Sequence, residues 1–199
     1  AGVYPGNLSS PLAKWFGFQY SNSAYAQKMA FIISNGSNYP YGKTTVSMPQ
    51  DEWFHFVGVF DGSGAADADR CKMWVNGTQD TLVFPGNSIP TATYAYGSSD
   101  WPLWLGSSGY NTNPPTAAPF LGEMDEVAIW TNTALDSTMV NAIKDQGGSD
   151  TPGDLKNLSG VATPTHYWRL GDKGTFADGE WTFPDQVGSR NITTVNMEE

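Results

Sequence analysis

Short apolar or alternating runs, separated by turn residues, recur along the whole chain, which is the pattern of many antiparallel strands. Strands are expected at 14–20, 27–33, 43–48, 53–60, 71–75, 78–84, 101–106 and 120–130. Asn35-Gly36 and Asn76-Gly77 are tight-turn dipeptides that mark hairpins. The run Trp53-Phe54-His55-Phe56-Val57-Gly58-Val59-Phe60 is nearly unbroken in apolar residues and predicts a central strand covered on both faces. Its aromatics, with Trp74, Trp104 and Trp130, are expected in the core. One segment reads as helical. Asp136 caps it, Leu135 and Val140 are placed for a hydrophobic staple, and Met139, Val140 and Ile143 share a face that Gly147 ends. After a polar, Gly- and Pro-containing stretch at 148–161, His166 to Leu170 predicts another strand. A loop-rich tail follows, with 191–196 as a closing strand. The division read from this pattern is 1–147 for the sandwich and 148–199 for a linker and C-terminal extension that packs on or completes it.

Composition narrows the function. Charged residues are 15% of the 199, against about 25% in an average soluble domain. The net charge of −10 repels a phosphate backbone and an anionic bilayer, so neither nucleic acid nor a membrane is an expected partner. A single Cys excludes an internal disulfide framework and a Cys-based zinc cluster. Its apolar run at 29–33 is far short of the roughly 20 residues of a spanning helix. Without a basic, apolar leader or an initiator Met, the start reads as that of a processed product or a fragment.

Several segments then line up in a known order. Trp53 to Gly62 leads to Lys72-Met73-Trp74-Val75-Asn76-Gly77; Leu103-Trp104-Leu105-Gly106 follows, and then Phe120 to Trp130 with Thr133-Ala134-Leu135-Asp136 and the helix. This resembles the laminin-G-like domains of the concanavalin A-like lectin/glucanase superfamily over residues 12–147. The resemblance implies an all-β fold, an antiparallel jelly-roll β-sandwich with one short helix after the last strong strand. The family's opening strand has no match in residues 1–10, so Ile192 to Val195 or a neighbouring chain is expected to supply it. The segments His166 to Asp172, Phe183 to Ser189 and Thr194 to Glu199 resemble the C-terminal parts of laminin-G-like structural proteins of marine bacterial viruses. That likeness implies a decoration or fibre-associated protein on a virion surface, with copies of itself or other virion proteins as partners.

Candidate chemistry falls on a few polar and aromatic positions. His55 and His166 read as structural strand histidines. Glu123, Asp125 and Glu126 invite a glycosidase reading, but the superfamily's glucanases carry E-x-D-x-x-E, which this segment does not reproduce. Calcium is the expected cofactor if there is one, on Asp61, Asp67 and Asp69; the other reading of this loop is simple solvation. For glycans the candidates are Tyr94, Tyr96, Trp101, Tyr110 and Asn111 in the long loops, where rings either stack on sugars or pack beneath the loops. Sequons fall at Asn7, Asn35, Asn76, Asn157 and Asn191, and Cys71 reads as a strand residue. The expectation is a non-catalytic recognition or structural module, at a virion surface or otherwise extracellular, with cell-surface glycans as ligands. The alternatives are an adhesion module of a secreted bacterial protein and, behind it, a glycoside hydrolase.

Overall fold

The computed structural model describes residues 16–21, 27–34, 38–93, 105–106, 120–147, 154–171 and 173–194. The chain comprises two compact units, Ala1–Leu121 and Gly122–Glu199, so the expected break at 147/148 falls inside the second.

In the first unit, β1 (Phe16–Ser21), β2 (Lys28–Ile33) and β3 (Tyr41–Lys43) form an antiparallel sheet in that order. β4 (Phe56–Phe60), β5 (Cys71–Val75) and β6 (Thr78–Gln79) form a second. Alternation decides what each strand buries. Phe31 and Ile33 of β2 meet Cys71 and Met73 of β5 and Ile89, with Phe18, Phe56, Phe60, Leu82 and Phe84 packed around them. Phe18 holds the two sheets together, lying 4.5 Å from Phe31 and edge-on to Phe56 at 5.0 Å. Gly58 is required beneath it, because a Cβ there would come within 2.3 Å of the Phe18 ring. Ala30 and Ile32, on the other face of β2, are covered by Tyr39 and Tyr41. β2 is therefore apolar on both faces.

The Asn76-Gly77 hairpin forms as expected, with both residues at positive φ (50° and 80°), the geometry of a two-residue I′-type turn. The turn also pins the start of β4: Asn76 N–H donates to the His55 carbonyl at 2.8 Å, and His55 N–H donates to Asn76 Oδ1 at 2.8 Å. The expected strand at 43–48 is replaced by β3 and a bend. Asp80 accepts from Thr45 N–H (2.6 Å) and Val46 N–H (3.2 Å), which diverts both donors from a ladder. Trp53 is corrected from core to surface. The regular strand begins only at Phe56, and the Trp53 side chain is 64% exposed.

In the second unit, β7 (Val127–Ile129) pairs antiparallel with β8 (His166–Trp168). β9 (Thr175–Ala177), β10 (Glu180–Phe183) and β11 (Ile192–Thr193) form an antiparallel sheet with β10 in the middle. One face of that sheet carries Phe176, Trp181 and Phe183, and the other a row of Thr175, Thr182 and Thr193. Ile192 pairs with Phe183, so these residues complete β10 rather than an opening strand in the first unit. The expected helix is present, after a single-turn helix α1 (Asp67–Arg70) in the first unit, as α2 (Ser137–Lys144). Asp136 Oδ1 accepts from Met139 N–H at 2.9 Å, and Leu135 and Val140 are buried. The 120–130 strand is shortened to β7 because Glu126 adopts φ +53°, which interrupts extended backbone just before Val127.

Candidate functional site

The glycan candidates Tyr94, Tyr96, Trp101, Tyr110 and Asn111 lie outside the described residues. The calcium candidates are described, and each carboxylate already serves a local structural purpose. Asp61 Oδ1 accepts from the Ser63 hydroxyl (2.7 Å) and the Ser63 N–H (3.0 Å), and these bonds hold its carboxyl below the usual value. Asp69 Oδ2 accepts from Ala66 N–H at 3.0 Å. Asp67 Oδ1 accepts from Ile89 N–H at 2.9 Å and lies 3.5 Å from the Arg70 guanidinium. Arg70 in turn donates to the carbonyls of Gly64 (2.9 Å), Ile89 (2.8 Å) and Ala65 (3.1 Å). Calcium needs six to eight converging oxygens. Here a resident cationic side chain collects the carbonyls, and no group of three or more His, Cys, Asp or Glu side chains able to hold a metal ion occurs among the described residues. This donor set does not fit calcium.

The acids of 123–126 are arranged by the left-handed Glu126. That turn points Asp125 at the chain after β8, where its Oδ1 accepts from the N–H groups of Glu126 (2.8 Å), Leu170 (3.1 Å) and Gly171 (3.3 Å). Glu126 accepts the phenol proton of the buried Tyr167 and a bond from Arg169 Nε at 3.2 Å. Burial pushes the Glu126 carboxyl up; the Tyr167 bond and Arg169 oppose this and the Asp125 charge adds to it. Burial also raises the Tyr167 phenol, and its bond to Glu126 raises it further. Glu123 is exposed.

Sequence reasoning missed a hub at Asp185. Its side chain is fully buried and collects four backbone donors. Oδ1 accepts from Tyr167 (3.1 Å), Val187 (3.2 Å) and Gly188 (3.0 Å), and Oδ2 from Arg190 (3.2 Å). Oδ2 also lies 2.6 Å from His166 Nδ1, and the imidazole stacks on Trp168 at 5.6 Å. Burial would raise the Asp185 carboxyl, but His166 and the converging N–H groups overcome it and hold the group well below the ordinary carboxylate value. The available signal was Asp185-Gln186-Val187-Gly188, a short acid followed by a turn glycine. His166, read as structural, is a fixed partner of this hub. No described helix is long and apolar enough to cross a membrane.

Trp53 is the one aromatic among the exposed large hydrophobic side chains of the described residues, beside the exposed Asp51 and Glu52. No curated protein and no solved structure matches the chain. A laminin-G family model, described as the concanavalin A-like lectin/glucanases superfamily, matches residues 6–141, more than half of the chain. With its antiparallel sheets and few helices, the chain belongs to this superfamily and has the all-β sandwich fold of its members.

Proposed function

We propose that the chain is a non-catalytic recognition and structural module that binds cell-surface glycans and is displayed on a virion surface as a decoration or fibre-associated protein. The family supports the coarse part: its laminin-G-like members are carbohydrate-binding or structural modules, generally non-catalytic and commonly extracellular. The observation that carries the non-catalytic reading is the use already made of Asp125 and Glu126. A retaining glycosidase needs two working carboxyls about 5 to 5.5 Å apart. Asp125 is a cap for three N–H groups and Glu126 is paired with Tyr167 and Arg169, which leaves Glu123 as the one member of the trio without a partner among the described residues. The virion setting is supported by the likeness of the tail segments after residue 165, which lie beyond the family match.

Light scattering together with a glycan panel tests this reading. A homo-oligomer that binds glycans without cleaving them is the expected result. A monomer that binds glycans supports the adhesion module of a secreted bacterial protein instead. Polysaccharide turnover abolished by Glu123→Gln overturns the non-catalytic reading.

A further inference from the structure

We propose that Trp53 is a sugar-stacking residue and that the glycans it selects are neutral hexoses; the assignment rests on the glycan-binding reading above. An indole is the largest apolar side chain, and leaving it 64% exposed forgoes much of the stabilisation its burial would bring. Its indole N–H has no acceptor among the described residues. The mount is rigid. His55, two residues on, exchanges two hydrogen bonds with Asn76 in the hairpin turn, and β4 begins at Phe56.

The neighbours of Trp53 define the ligand. Asp51 and Glu52 precede it, both exposed, and among the described residues neither carboxylate makes a hydrogen bond or ion pair with the protein. Carboxylates accept sugar hydroxyl protons, and the C–H face of a pyranose covers the indole. The same carboxylates, on a chain of net charge −10, repel sulfated and uronic-acid sugars. A protein–protein hot spot is the less suited use, because interface cores are depleted in Asp and Glu around their aromatic anchors.

Calorimetry on the full chain tests the assignment, using neutral hexose oligosaccharides, their sulfated and uronic-acid counterparts, and an oligolysine peptide. The neutral sugars are expected to bind and the anionic ones to bind more weakly, with the gap closing as salt is raised. Trp53→Ala is expected to weaken neutral-sugar binding about tenfold with the melting temperature unchanged, and Trp53→Phe to weaken it less. Asp51→Asn with Glu52→Gln is expected to remove the discrimination against anionic sugars. Undiminished glycan binding by Trp53→Ala overturns the assignment and leaves the glycan-binding reading standing. No binding to any sugar overturns both, and Trp53-dependent binding of oligolysine in place of sugars makes this a cation site and overturns the assignment.

Discussion

His166 and Asp185 are joined by a 2.6 Å contact between Nδ1 and Oδ2, with the Asp185 side chain fully buried and four backbone N–H groups converging on it. The carboxylate ties β8 to the turn at 185–190, which β11 follows. Each donor would be left without this acceptor if the carboxylate were removed. Asp185→Ala is therefore expected to cost about 3–5 kcal/mol in the second unit, measured by denaturant unfolding.

The same group fixes an acid dependence. Its carboxyl titrates below the ordinary value of 3.8 in the folded protein, so its contribution is complete above the unfolded value. The contribution shrinks as pH falls below 3.8 and through the folded value. Unfolding curves taken between pH 6 and 2 are expected to show this loss in the native chain and a flatter acid limb in Asp185→Asn.

Tyr167 donates to a carboxylate that burial holds above its usual 4.5. The bond is charge-assisted while Glu126 is ionised. Tyr167→Phe is expected to cost about 1.5–3 kcal/mol at neutral pH, and less as pH falls through the raised Glu126 titration. A cost that does not change with pH would separate Tyr167 from the Glu126 charge.

Gly58 lies beneath the Phe18 ring. Adding a methyl group forces that ring off Phe31 and Phe56, which face each other across the two sheets of the first unit. Gly58→Ala is expected to destabilise by about 1–3 kcal/mol, and its partial recovery in combination with Phe18→Leu would identify the clash as the cause.

Cys71 is fully buried at the start of β5, and burial pushes its thiol up to about 12. Thiolate is the reactive form, so alkylation at pH 8 is expected to be slow in the folded chain and to follow opening of the first unit. Labelling that is fast in native conditions and unchanged by Gly58→Ala would contradict the buried position.

Features carried by neighbouring residues were legible in the sequence. Asn76-Gly77 requires only two left-handed positions, and Asp136 requires only that Met139 N–H lie one turn ahead, so both were found with their local roles. The family, too, was legible from the order of short strands between 53 and 136. Trp53 was misassigned because alternation identifies which residues share a face but not where the neighbouring sheet ends. The Asp185 hub draws on Tyr167 and His166 almost twenty residues away, a separation over which no local pattern carries information.

The sequence by itself determined an all-β chain, its hairpin turn, its capped helix and its acidic, aromatic character, because these follow from backbone preference, side-chain period and counted charge. Only the tertiary structure decided which carboxylates are free. Asp61, Asp67, Asp69, Asp125, Glu126 and Asp185 all look alike as letters, yet each is committed to N–H groups, hydroxyls or a cation, while Asp51 and Glu52, next to Trp53 in the chain, have no partner among the described residues. The physical reason is that a carboxylate's role is set by which donors the folded backbone brings within about 3 Å, and those donors come from distant parts of the chain.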